Sequence, residues 1–398
     1  MQRRDFFKLS LATSTLVLVA SNAQATTRQP IDSRKVSTHT FPEKRPLITY
    51  SDRPPLLETP RDAFTRAITP NDELFVRWHM PKIPTAINMD TYYINVHGEV
   101  KKRLYLTVAA LKKEFEQVEV TVAMQCGGNS RSAFVPTTSG IQWGSGAMGC
   151  SKYKGVRLKD MLAKAGLTDD SVWITLNGDD KAVMKKIESF KRELKISEIT
   201  DDTIIAYEQN GEELPFLNGY PVRLIIPGFY ADSWVKQLSN INVTKEYKNY
   251  YYMDTAYRVP DNETESETPE KHALKTKPLE LMNVKSYIGY PTSSSQVHVK
   301  AKLTIKGVAF DEGKGIKEVL ISLDSGKTWD KSTLAEELSP YAFRVFSYKL
   351  KPMHKGKLTI LAKAINNAGE AQPFAHEIQW NHGGYKYNGI DSVTVDVI

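Results

Sequence analysis

Between Asp261 and Pro269 the chain runs Asp-Asn-Glu-Thr-Glu-Ser-Glu-Thr-Pro, with no large apolar side chain. Such a stretch has nothing to bury. It has to cross a surface, and it divides the chain into parts built around different cores. The patterning on its two sides differs. From about Lys285 onward, short segments of alternating polar and apolar residues recur: Gln296 to Ile305, Ile316 to Ser322, Tyr341 to Tyr348, Lys357 to Ala364 and His376 to Trp380. Turn signals at Asp324-Ser325-Gly326 and Asn366-Asn367-Ala368-Gly369 separate them, and helix signals are few. This is the pattern of an antiparallel all-β sandwich of about 100 residues.

Upstream, strands and helices mix, which predicts an α+β domain. Leu74 to His79, Tyr92 to Val96, Tyr105 to Val108, Val118 to Met124, Val172 to Leu176, Ile204 to Tyr207 and Val222 to Ile226 read as strands. Val108 to Phe115 and Leu158 to Ala165 have helical spacing, and Gly166 stops the second. Residues 26–70 are rich in Pro, Arg and Thr and predict an extended arm. The expected organisation is residues 1–25 as a targeting segment, 26–70 as the arm, 71–260 as the first domain, 261–284 as a linker and 285–398 as the sandwich.

The targeting segment has three parts. Arg3-Arg4-Asp5-Phe6-Phe7-Lys8 is a twin-arginine region, Leu9 to Ala20 a short apolar run, and Ala23-Gln24-Ala25 a small-residue cleavage site. The apolar run is too short for a stable membrane anchor. The pattern predicts export of a folded, cofactor-loaded protein to a bacterial periplasm; a general secretion signal that happens to carry two arginines is the plainer alternative. The 398 residues suffice for two or three domains, and a net charge of +7 spread along the chain does not imply nucleic acid. There is no CxxCH for covalent haem, no CxxC pair, no phosphate loop and no GxGxxG after a strand.

Only two cysteines occur. Cys126 and Cys150 could form a disulfide in an oxidising compartment, but each flanks what reads as a constrained turn, and two unbridged thiols are the favoured reading. Cys126 stands where an apolar run, Val122-Ala123-Met124-Gln125, meets Gly127-Gly128-Asn129-Ser130-Arg131. A strand that delivers a thiolate onto a Gly-Gly turn lets a bulky ligand approach the backbone. Arg131 adds a fixed cationic fork five residues on. These residues alone fit a soft-metal ligand and a buried structural cysteine equally well.

The segment Val-Ala-Met-Gln-Cys-Gly-Gly-Asn-Ser-Arg-Ser resembles the molybdenum-ligand segment of the sulfite oxidase family of molybdopterin enzymes. The likeness recurs in order along the chain. It includes Arg77-Trp78-His79, Trp143 to Gly149 with Tyr153-Lys154-Gly155-Val156, and Asn210 to Pro215 with Asn218 to Arg223 and Pro227-Gly228. Trp234-Val235-Lys236, Thr255-Ala256-Tyr257-Arg258, Ser322 to Trp329 and Trp380-Asn381 follow in place. Within the family the chain is most similar to periplasmic bacterial sulfite dehydrogenases.

The resemblance implies a molybdopterin-binding domain followed by an immunoglobulin-like dimerisation domain. It implies Cys126 as the molybdenum ligand; Arg77, Arg131 and Tyr257, with Trp143 beside them, around the substrate anion; and His79, Asn218, Arg223 and Lys236 on the pterin and its phosphate. It implies molybdenum–molybdopterin as cofactor, no haem in this chain, oxidation of sulfite to sulfate, a separate c-type cytochrome as electron acceptor, and a homodimer. Two departures stand out. Asn381-His382-Gly383-Gly384 occupies the place where some members carry a substrate-pocket arginine, which implies either a less cationic pocket or a weak contribution from His382. Asn218 stands where vertebrate-type members have histidine. Rival readings are a sulfane-sulfur dehydrogenase or sulfoxide reductase of the same fold, a copper or iron thiolate site, and a non-catalytic exported binding module. Cys150 has no assigned role.

Overall fold

The computed structural model describes residues 41–84, 86–184 and 186–398. The twin-arginine segment and residues 26–40 of the predicted arm lie outside the described residues. Among the described residues no helix is long and apolar enough to cross a membrane.

The first part of the chain is mostly β, with fewer helices than the α+β expectation implies. The described helices are only Val108–Glu114, Leu158–Ala165 and Tyr251–Asp254, with a few single 3-10 turns. Leu158–Ala165 forms where the pattern predicts it, because Leu158, Met161, Leu162 and Ala165 fall on one buried face. Thr107 caps Val108–Glu114 by accepting the N–H of Ala110 at 3.1 Å.

Two five-stranded sheets carry this part. In one, Glu212–Glu213, Ile204–Gln209, Met148–Arg157 and Val118–Gln125 lie side by side, and Arg223–Ile225 also pairs with Ile204–Gln209. In the other, the order is Leu104–Leu106, Ile94–Gly98, Leu238–Thr244, Trp173–Gly178, Lys191–Lys195, with one parallel pair between Ile94–Gly98 and Leu238–Thr244. The ten-residue Met148–Arg157 strand escapes pattern reading, since two glycines and three cations interrupt its alternation. Its Gly155 is required by close approach: a Cβ there would stand 2.1 Å from the carbonyl oxygen of Ile205. The predicted arm is also more than an arm. Ile48–Asp52 pairs with Pro55–Glu58, which pairs in turn with Val76–Arg77 in a three-stranded sheet, and only two residues of the Leu74 to His79 segment are strand.

The polar crossing does not extend through 284. Thr276–Pro278 pairs with Arg258–Pro260, and Leu279 and Met282 are buried in the first core. The remainder is the expected sandwich. Lys285–Tyr290, Leu303–Phe310, Arg344–Leu350 and Thr333–Leu334 form one sheet. Gln296–Val297, Asp391–Val397, Gly356–Asn366, Ile316–Ser322 and Asp330–Lys331 form the other. Ile288, Ile305, Val319, Ile321, Phe346, Ile360 and Val395 fill the space between. His376 to Trp380 is not a strand; it holds a 3-10 turn at Ala375–Glu377. Val308, Phe310, Ala342 and Phe343 of the sandwich belong to the first core, so the two parts share buried surface.

Candidate active site

The Val118–Gln125 strand starts half exposed and ends buried on both faces. It runs antiparallel to Met148–Arg157 in unbroken register, Gln125 opposite Met148, and the next residue is Cys126. Its N–H donates to the carbonyl of Ala147 at 3.0 Å, which fixes where the sulfur points. Cys126 is buried and free. Burial, then Asp232, push its thiol up to about 11, while Arg77 and Arg131 oppose them.

A narrow cleft, its free volume about 30 Å³, opens over this sulfur. Arg77, His79, Cys126, Asn218, Arg223, Asp232 and Lys236 are among the residues that line it. The cleft therefore unites six of the nine side chains expected at the site, drawn from four separated stretches of sequence. Lys236 donates to the carbonyl of Arg77 at 2.8 Å and lies 4.8 Å over the Trp78 ring. Burial, then Arg223, lower its ammonium to about 7. Arg223 gives one nitrogen to the carbonyl of Asn218 at 2.9 Å and leaves its buried Nε without a hydrogen-bond partner.

The other three expected residues lie behind the walls. Arg131 donates from Nε to the carbonyl of Gly383 at 3.0 Å and from Nη1 to that of Ile141 at 2.9 Å. Its guanidinium packs on Gly128, where a Cβ would come within 2.5 Å of Nη2. Trp143 is wholly buried and meets Tyr50 edge-on at 4.9 Å. Tyr257 reaches the cleft through His79, whose Nε2 pairs with its hydroxyl. Tyr257 sits at φ 57, a left-handed conformation that a bulky residue adopts only when its surroundings impose it.

The protonation states follow from burial. Burial, then Arg77, Lys236 and Arg192, push His79 well below its ordinary value, so its imidazole is neutral. Burial raises Tyr257 well above its ordinary value, so its phenol keeps its proton. Burial works against the charge of Arg77, yet Tyr257, Cys126 and Asp232 around it raise its guanidinium overall.

Several contributors escaped sequence reading. Asp232 accepts the N–H of Gly127 at 3.2 Å through Oδ2 and sets Oδ1 3.8 Å from the Cys126 sulfur. Its signal was a lone acid in the apolar Phe229-Tyr230-Ala231-Asp232-Ser233-Trp234 run. Arg192, fully buried, donates to Ser233 at 3.1 Å and to the carbonyl of Tyr252, and lies 5.4 Å from the Tyr257 ring. Lys44, from the predicted arm, donates to Asn218 Oδ1 and to the carbonyl of Asn71, both at 2.5 Å. Tyr385, from the sandwich, stacks on Tyr257 at 5.6 Å. His382 is directed elsewhere than expected: its Nδ1 lies 2.9 Å from Glu267, and it is not among the residues that line the cleft.

The cleft presents three cationic side chains against one buried carboxylate, with an orphaned guanidinium N–H. A phosphate-bearing group beside a thiolate-bound metal fits these donors, since a buried cation needs an anion and the sulfur suits a soft or high-valent metal. Cys150, by contrast, only accepts the N–H of Phe343 at 3.4 Å, and burial pushes its thiol up to about 12. It fills core space.

Comparison with known proteins agrees with this geometry. Residues 79–252 match the family described as oxidoreductase molybdopterin binding domain, and residues 276–397 match the Mo-co oxidoreductase dimerisation domain. The chain is 30% identical over 373 residues to the mitochondrial sulfite oxidase of Rattus norvegicus, covering 90% of this chain and 67% of that protein. It is 30% identical over 309 residues to the NADH nitrate reductase of Petunia hybrida, covering 73% of this chain and 33% of that protein. The fold superimposes on the sulfane dehydrogenase SoxCD of Paracoccus pantotrophus with a TM-score of 0.76 at 23% identity, over 97% of this chain and 100% of that one.

Proposed function

The chain belongs to the sulfite oxidase family of molybdopterin-dependent oxidoreductases, and from that premise we propose that it oxidises sulfite to sulfate in the periplasm and passes the electrons singly to a separate c-type cytochrome. Its cofactor is molybdenum–molybdopterin. The observation that carries the substrate reading is the buried thiol of Cys126 in a cleft that Arg77, Arg223 and Lys236 also line. Those charges suit a small oxyanion and a phosphate tail.

Cys126 is the metal ligand in this reading, and Asn218, Arg223 and Lys236 hold the pterin and its phosphate. The bound cofactor supplies the two-electron redox change and the oxygen-atom transfer. Arg77 neutralises the substrate anion. Neutral His79, as the tautomer protonated at Nε2, donates to the Tyr257 hydroxyl and leaves the phenol's own proton free for the substrate. Arg131 contributes positive field from behind the Gly127-Gly128 turn, anchored so that its charge does not reorganise during turnover. The dimerisation-type domain supports a homodimer.

Molybdenum and pterin analysis, with sulfite-dependent reduction of cytochrome c, tests the reading. Cys126→Ser should abolish turnover in a folded protein. Arg131→Gln should raise KM for sulfite by removing positive field, and should also lower stability, since two backbone carbonyls lose their donor. Turnover with a sulfane-sulfur, sulfoxide or nitrate substrate in place of sulfite would move the assignment to another activity of the same fold.

A further inference from the structure

Outside the cleft, Glu267, His272 and His382 form a second cluster of ligand-type side chains. Their nearest donor atoms all lie within 4.8 Å of one another. Three backbone hydrogen bonds build it. The Glu267 N–H donates to the carbonyl of Trp380 at 2.9 Å; Glu267 Oε1 accepts the N–H of His382 at 2.8 Å; and Oε2 accepts that of Ala273 at 2.7 Å. A tight turn, in which Thr268 bridges Lys271, brings His272 back over the same carboxylate. The two imidazoles stack at 3.5 Å, and each turns Nδ1 to a different oxygen of Glu267, at 2.9 Å for His382 and 4.0 Å for His272. The Nδ1 of His382 is buried yet lacks a hydrogen bond of acceptable geometry. Trp380 packs edge-on against that ring at 4.7 Å and fixes it.

We propose that Glu267, His272 and His382 bind one divalent cation of the zinc class. Two imidazoles and one carboxylate are the donor set such ions take, with a fourth position left for water. Bonds of about 2.0–2.1 Å require donor atoms roughly 3.3 Å apart with the in-plane lone pairs of both rings converging, so one of the two stacked imidazoles has to swing out of the stack and closer to the carboxylate. The residue free to do so is His272, whose side chain is 78% exposed, while Glu267 and His382 are already held. An adjoining cavity of about 420 Å³, lined by Glu267, Lys271 and His272 among others, is the entry path. The cation would clamp the crossing segment to the loop that continues through Gly383, which holds Arg131, to Tyr385, which stacks on Tyr257. A metal here stiffens one wall of the molybdenum site without touching it.

The test is calorimetric titration of the purified holoprotein, affinity tag removed, with Zn²⁺, alongside Co²⁺ titration followed by visible absorption. One equivalent per chain, with affinity lowered roughly tenfold or more in both His272→Ala and His382→Gln, is expected. His272 is exposed, so the first variant should fold normally. Absence of binding, or equal binding by parent and His272→Ala, overturns the proposal. Neither readout depends on turnover, so the result is independent of the sulfite assignment.

Discussion

Asp232 places Oδ1 3.8 Å from the sulfur of Cys126 while its carboxylate also takes the N–H of Gly127. A negative group therefore faces the predicted metal ligand, and the strand end and the following turn are tied to the Ala231–Ser233 3-10 turn. After burial itself, Asp232 does most to hold the Cys126 thiol high. Asp232→Asn should move the alkylation profile of Cys126 in cofactor-free protein to lower pH, read by peptide mass mapping. An unmoved profile would mean that the carboxylate carries no charge in the cleft.

Lys44 props Asn218 from the far side of the cleft, and burial lowers its ammonium to about 7. Lys44→Met should leave the far-UV circular dichroism unchanged but reduce pterin retained per chain several-fold, because Asn218 loses the donor that orients it. Pterin fluorescence after oxidative release measures this. Full retention would assign Lys44 to packing alone.

Lys285 carries a pH signature of its own. It is buried, donates to Ser130 at 2.7 Å and to the carbonyl of Tyr387 at 2.9 Å, and burial lowers it to about 7 from 10.5. The unfolded chain therefore binds more protons than the folded one between about pH 7 and 10.5. Its penalty on stability is fully present below that window and is relieved as pH rises through it. Relative to Lys285→Met, the parent should gain about 2 kcal/mol between pH 7 and pH 9. Urea unfolding of both proteins at the two pH values checks the sign; a constant difference would place the folded pKa near its ordinary value.

Two glycines should respond differently to alanine. At Gly146 a Cβ would stand 1.9 Å from the carbonyl oxygen of Thr59, while the Gly146 N–H already donates to Glu58 at 3.1 Å. Gly146→Ala should cost about 4 kcal/mol or more, through overpacking against fixed backbone. Gly211 has φ 84 and nothing within 4 Å of a Cβ, so its alanine variant should lose only about 1 kcal/mol, from backbone conformation. Thermal unfolding of the pair measures the contrast.

Several elements were legible because local chemistry alone sets them. Leu158–Ala165 shows a helical period and Ile316–Ser322 an alternating one, and both form with those bounds. Cys126 was recognisable as a strand-end thiol on a Gly-Gly turn, and the ordered motifs around it identified the family. Met148–Arg157 was not legible, because its strand character comes from neighbours on both sides: Val118–Gln125 and Ile204–Gln209 pair with it along its two edges. The same holds for Lys44, Arg192, Asp232, Lys285 and Tyr385, which are ordinary polar residues in the sequence.

Residue type and spacing were enough to determine the sandwich, while the ordered likeness to a known family, and not spacing, named the metal-ligand candidate and the cationic residues near it. Only tertiary structure decided that Arg131 and Trp143 stand behind the walls, that Asp232 faces the sulfur and that His382 turns to Glu267. The physical reason is that periodicity and motif order are local properties of the chain. Burial, charge state and the partner of a polar group are set by whatever distant segment packs against it.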